Sequence, residues 1–228
     1  MINTLVNIFA APQQAFMQLR SEPSWLPPML LLLLMTGLAT FVFFYSSDPE
    51  LLTEDMLQQA GSDLTEAELA EARERFDAMP EGRLMWASTI GAVVGTVVIA
   101  LLHSGYFALA SMFSGTKIGF KSWLSFVTWS NMPILFSLIA GLATLFFASG
   151  YVSFSGLNPL SMTNLLRIDP ANSALVRWGD NLDLTRIWSA GLMVFGYRLW
   201  TEKSWLHCCL IVLVPILLLS GVFLVMAL

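Results

Sequence analysis

Charged residues are scarce in this chain: Asp, Glu, Lys and Arg supply 12% of its 228 residues, about half the share usual in a soluble domain. That scarcity excludes an ordinary water-facing surface, and the 56% of hydrophobic residues makes a bilayer the natural solvent. Cysteine is nearly absent as well. Cys208 and Cys209 stand side by side in an apolar run, which excludes a disulfide framework and metal-ligand spacing, so both read as small packing residues. Histidine occurs only as His103 and His207. There is no His-Glu-x-x-His helix, Walker-type loop or calcium loop, and Ser149-Gly150 lacks the Gly-x-Ser-Gly form of membrane serine proteases. No catalytic residue, cofactor or metal is therefore expected, and the chain does not read as an enzyme. The first residues, MINTLVNIFAAPQQAF, have no early Lys or Arg and no long central apolar run with a small-residue cleavage site, so no removable secretory signal is expected and targeting would fall to the first span.

The hydrophobic residues fall into five stretches, 25–46, 84–112, 123–149, 184–200 and 205–227, each meeting or approaching the roughly 20 apolar residues that cross a bilayer. The expectation is all-α: one integral membrane domain over 1–228, a bundle of about five transmembrane helices with short amphipathic interfacial helices. The net charge of −5 is local, because 11 of the 16 acidic residues lie between Asp48 and Glu81. Arg20, Lys117, Lys121, Arg198 and Lys203 all fall on one side if the chain starts inside, against Arg73, Arg75, Arg83, Arg167 and Arg177 among more numerous acids on the other; the positive-inside rule makes the first side the cytoplasm. The N-terminus is then cytoplasmic and Leu228 extracytoplasmic, with the acidic loop 46–83 and the segment 150–183 outside.

Both outer segments carry helix punctuation. Asp48-Pro49 suits a helix start with Gly61 as a stop; Thr65 and Glu68 form a capping box; Leu69, Ala72 and Phe76 share a face; Glu71 and Arg75 are spaced as an i,i+4 pair. In 150–183, Asn158-Pro159 and Asp169-Pro170 can each start a short helix, Gly179 can end one, and Asp183 caps the fourth span. The eight large apolar residues among Leu157–Trp178 predict short helices at the outer interface. On the opposite side, Ile2, Leu5, Val6, Ile8 and Phe9 before Pro12, then Phe16, Met17 and Leu19, predict an amphipathic hairpin in the plane of the cytoplasmic surface.

Three passages, NIFAAPQQAF with EPSWLPPML, HSGYFALASMFSGTKIGFKSWLSFVTWSNMPIL, and GLNPLS followed by LDLTRIWSAGLMVFGY, in that order among five spans, resemble the bacterial branch of the Yip family, the Ypt/Rab-interacting membrane proteins. The resemblance covers most of the chain and implies a five-helix membrane bundle with a cytoplasmic N-terminus. In eukaryotic members it implies vesicle trafficking and contact with Rab GTPases. That role is not carried over, since the long cytoplasmic N-terminal region of those members has no counterpart here. No catalytic or cofactor residue comes with the family.

Two groups of residues are candidates for a specific role. His103 with Ser104 in the second span and Ser130 with Asn131 in the third lie about nine residues from the cytoplasmic ends of their spans, which meet around the loop near Lys117, or roughly 13 Å deep at 1.5 Å per residue. They can form one intramembrane polar cluster, opened by the distortion expected at Pro133, acting as interhelical glue or as a relay or solute site. Ala87, Gly91 and Gly95 recur at every fourth position, which lets another backbone approach. A crossing within the chain is the expected one, a crossing between copies the alternative. The chain reads as an inner-membrane protein that acts by interaction with membrane lipids, a membrane-protein partner or a second copy, and not with nucleic acid. The alternative is a small transporter or channel subunit using the polar site at His103 and Asn131.

Overall fold

A computed structural model describes residues 2–60, 65–80, 82–169 and 173–225, and every regular element in them is helical. Three segments are long and apolar enough to cross a membrane: α3 (Leu26–Ser46), α6 (Arg83–Phe113), and α7 (Phe120–Ser130) continued by α8 (Ile134–Phe147). The fourth and fifth expected spans form α12 (Leu184–Thr201) and α13 (Trp205–Val225). The protein is thus an all-α membrane bundle.

The helices begin and end where local chemistry dictates. Pro27 and Pro28 occupy the first turn of α3, where a missing N–H costs nothing. Asp48 accepts from the N–H groups of Glu50 and Leu51 to start α4 (Pro49–Ala60), and Gly61 lies outside the described residues. The Thr65–Glu68 capping box opens α5 (Glu66–Asp77), and the N–H and hydroxyl of Thr65 hold the Glu68 carboxyl below the usual carboxylate range. Glu71 pairs with Arg75 at 2.6 Å. In the third span Pro133 offers no N–H to Trp129 O. Met132 N–H turns to that carbonyl instead (3.2 Å), Ile134 N–H goes to Asn131 O (3.0 Å), and the helix breaks over 131–133.

Lipid tails are as apolar as leucine, so burial gives no gain between membrane helices, and packing and hydrogen bonds hold them together. α7 sits at the centre, with all eight residues from Trp123 to Ser130 buried. Around it Phe107, Phe126, Tyr197, Trp200 and Phe16 close an aromatic core, with Trp123–Trp200 and Phe107–Tyr197 centroids 5.3 and 5.7 Å apart. α3 packs along α6 and α8. One end of the bundle gathers Arg20, Lys117, Lys121, Arg198 and Lys203 and is called here the basic end; α4 and α5 lie at the acidic end.

α1 (Ile2–Ala10) and α2 (Pro12–Ser21) form the expected hairpin, but it does not lie flat across the basic end. Its open end, at Thr4 and Glu22, borders Lys121 at the start of α7. Its tip carries Phe9 to 5.4 Å from both Phe136 and Trp188, beyond the far end of α7. The hairpin therefore runs lengthwise beside α7 and α12, and Ile8, Ala15, Phe16 and Leu19 are almost wholly buried. Trp200 Nε1 donates to Phe16 O (2.8 Å) and Trp129 Nε1 to Ser24 O (2.7 Å), which pins the middle of α2 and the linker that follows it. An amphipathic face has the same pattern whether lipid or protein covers it, and here protein covers it.

Segment 150–183 folds over the acidic end as α9 (Phe154–Leu157), α10 (Met162–Leu165) and α11 (Ser173–Asn181). The expected starts differ in detail. Asn158-Pro159 makes a turn, because the Asn158 side chain accepts from Leu160 N–H (3.1 Å), and Ser161 caps α10 instead. Pro170 lies outside the described residues. Gly179 does not end α11; it lies inside the helix because Thr163 crosses it, with the Thr163 nitrogen 2.8 Å from where a Cβ would stand. Asp55 of α4 accepts from Tyr151 Oη (3.0 Å) and Phe154 N–H (2.8 Å), tying the acidic loop to this cap. Burial, then the bond to Asp55, pushes the Tyr151 phenol well above its usual range.

Pro215 inside α13 has a consequence across the bundle. Its missing N–H strands the carbonyl four residues back, Ile211 O, and Tyr106 Oη of α6 donates to that oxygen at 2.7 Å. We expect Tyr106→Phe to cost about 1 to 2 kcal/mol in thermal unfolding, and Pro215→Ala, which restores the helix's own donor, to halve that cost. Equal costs in the two backgrounds would refute the link.

Candidate functional site

The antiparallel register of α6 and α7 follows from two contacts: Trp123 Nε1 donates to Ser111 Oγ (3.2 Å), and Phe107 packs on Phe126 (5.3 Å). One turn further brings His103 and Ser104 level with Ser130 and Asn131. Shared depth does not make a hydrogen-bonded cluster. Ser104 Oγ turns back to Ala100 O (2.6 Å), while His103 Nδ1 and Ser130 Oγ are buried without a partner, as is Ser189 Oγ in α12. Asn131 caps the end of α7 through its backbone N–H to Val127 O. Because Met132 N–H turns to Trp129 O and Ile134 N–H to Asn131 O, the Thr128 and Ser130 carbonyls lose their usual helical donors among the described residues. The region is a polar discontinuity at mid-depth, with its groups separate.

Ala87, Gly91 and Gly95 do not form the expected crossing inside the chain. Nothing lies within 4 Å of a Cβ placed on Gly91 or Gly95, and Ile90, Val94 and Val98 beside them are exposed. The close approach of α3 and α6 uses another glycine, Gly37, where a Cβ would stand 3.2 Å from a Val93 methyl. A repeat of small residues marks a smooth strip, and the partner depends on which face the rest of the bundle occupies.

Sequence reading missed a second polar group, at the basic end. Ser114 Oγ donates to Ala110 O (2.9 Å) and also lies 3.0 Å from His207 Nε2, where the ring tautomer sets which atom donates, with Tyr197 Oη 3.4 Å away. A serine beside a histidine is the start of a nucleophile–base pair. Here Ala110 O competes with the imidazole for the serine proton. The trio is suited to joining the ends of α6, α12 and α13. Ser114 lies 93 positions from His207, too far apart for spacing to announce it. Among the described residues no three His, Cys, Asp or Glu side chains come together.

The third polar feature is an open groove of about 420 Å³ where α1–α2 meets α7, bordered by Thr4, Gln18, Glu22, Ser24, Lys121 and Trp129. It opens beside the start of α7 at the basic end.

These helices, their apolar outward faces and their solid centre define a multi-pass α-helical membrane protein. The chain matches the Yip1 domain over residues 6–228, and it belongs to that family. No curated protein and no solved structure matches it.

Proposed function

We propose that this Yip-family protein works by binding protein or lipid within a bacterial inner membrane, organising that membrane rather than catalysing a reaction. The observation that carries the reading is the filled centre. α7 is buried along eight consecutive residues inside an aromatic core, and the groove that stands out opens beside the start of α7 at the basic end. A closed bundle offers surfaces rather than a path. α6 supplies one such surface, where the open strip at Gly91 and Gly95 lets a second helix approach closely.

Five spans and a cytoplasmic basic end belong to this reading. The shared side of Arg20, Lys117, Lys121, Arg198 and Lys203 supports it. Leu228 lies outside the described residues. A reporter fused there is expected to act only when exported, and activity confined to the cytoplasm would overturn the topology.

Native mass spectrometry after gentle extraction tests the function. A stoichiometric protein partner, a fixed oligomer or reproducibly bound lipid is the expected result. Protein that leaves the membrane alone, and carries a solute flux in proteoliposomes, would overturn it. That outcome is the second reading, a transporter or channel subunit, favoured by the broken third span, where the Thr128 and Ser130 carbonyls lose their usual helical donors, and by the unpartnered His103 Nδ1.

A further inference from the structure

The groove at the basic end has an unusual charge arrangement. Glu22 and Lys121 border the same space, yet among the described residues neither forms an ion pair with the other or with any third side chain. Each stands at the helix end that reinforces its charge. Glu22 follows the last turn of α2, where carbonyls give the macrodipole its negative end. Lys121 lies in the first turn of α7, whose N-cap, Gly119, has no side chain to cover the free N–H groups. The groove is therefore negative on one wall and positive on the other. Thr4, Gln18 and Ser24 add hydroxyl and amide groups between the walls, and Leu19 with Trp129 forms an apolar floor. Its volume falls within the roughly 300 to 1,000 Å³ of small-molecule sites.

A purely anionic ligand would gain Lys121 and meet Glu22, and a cation would meet the reverse. A zwitterion satisfies both walls at once. Ile2 and Val6 on α1 and Phe120 on α7, two of the helices that form the groove, are exposed by 71, 56 and 45%, as are Leu26 and Leu30 at the start of α3 shortly after Ser24, by 50 and 55%, and these residues can carry acyl chains beside it.

We propose that this groove holds the zwitterionic headgroup of a phospholipid in the leaflet at the basic end, its ammonium group toward Glu22 and its phosphate toward Lys121 and the start of α7. The site deepens the interaction reading and rests on it by naming a ligand class.

The test uses the full chain in detergent, incubated with equal amounts of phosphatidylethanolamine and phosphatidylglycerol of identical acyl chains, with retained lipid read by native mass spectrometry. The native protein is expected to retain the zwitterionic lipid about fivefold over the anionic one, the discrimination that one exposed charge contact can supply. Glu22→Gln should abolish that preference, and Lys121→Gln should lower retention of both lipids. Both side chains are exposed, so the variants should keep native helicity, which circular dichroism verifies. Equal retention of the two lipids, or variants that match the native protein, would overturn the site while leaving the interaction reading intact. Retention of no lipid and no protein would remove that broader reading. A third arm adds glycerophosphoethanolamine, the headgroup without chains: failure to displace the lipid is expected, and full displacement would assign the groove to a soluble phosphodiester instead.

Discussion

Leucine at position 196 should unseat the N-terminal hairpin from the bundle. Gly196 lies in α12 where α2 and α7 converge, and a Cβ there would stand 2.7 Å from Phe126 Cε2 and 2.8 Å from Phe16 Cε1 and Cζ. Neither ring has free space. Phe16 and Phe126 are both fully buried, and α2 is held against α12 by the bond from Trp200 Nε1 to Phe16 O. Overpacking a tight core costs about 1 to 3 kcal/mol when neighbours can shift; alanine at 196 falls in that range. Leucine adds a branched side chain that those rings cannot admit, and we expect more than about 3 kcal/mol in reversible thermal unfolding. The mechanism is checked by removing one ring. Phe16→Ala should destabilise alone, yet combined with Gly196→Leu should cost less than the sum, with a coupling of about 1 to 3 kcal/mol. Additive costs would mean that the hairpin and α12 do not compete for this space.

That prediction rests on the part of the fold least legible in the sequence. Local rules found the helix signals: Asp48 before α4, the Thr65–Glu68 box, Pro133 at the break and Asp183 before α12 all stand where residue chemistry put them. Each of those signals acts within four residues. The lengthwise docking of α1–α2 depends instead on Phe16 meeting Phe126 and Phe195 of helices more than 100 positions away, and no periodicity in α2 distinguishes that contact from a lipid surface. The candidate site divides in the same way. The depth of His103 and Asn131 could be counted from the ends of their spans, because helical rise is fixed. Their hydrogen bonds could not, because Ser104 chooses its own backbone at Ala100 and His103 and Ser130 are left without partners. Tyr106 and Pro215 show a middle case. Proline announces a stranded carbonyl in the sequence, and only the packing of α6 on α13 says which side chain answers it.

Asp183→Ala is expected to release the cap at the acidic end, at a cost of about 3 kcal/mol or more. Asp183 is only 5% exposed and joins three elements. Its Oδ1 accepts from Thr185 Oγ1 (2.6 Å) and from Arg186 N–H (2.8 Å), capping α12, and its Oδ2 accepts from Asn158 Nδ2 (3.1 Å). Asn158 passes the connection to α8 through Ser137 Oγ (2.8 Å). Alanine removes a helix cap worth about 0.5 to 2 kcal/mol, and strands the Thr185 hydroxyl and the Asn158 amide, at about 1 to 3 kcal/mol for each buried group left unpaired. Asparagine separates these effects. Its amide oxygen can keep the cap at Arg186, but its nitrogen would face the Asn158 nitrogen, donor against donor, and Asn158 cannot turn its oxygen without abandoning Ser137 and Leu160. Asp183→Asn should therefore cost about half as much as alanine. Hydrogen exchange distinguishes local release from global loss. The amide of Met162, bonded to Leu182 O, and that of Leu184, bonded to Leu160 O, should lose protection in the alanine variant before the amides of α7 do. If all three regions exchange together, Asp183 supports the whole bundle; if neither amide changes, the cap is held through α4 and the Asp55 contacts to Tyr151 and Phe154 instead.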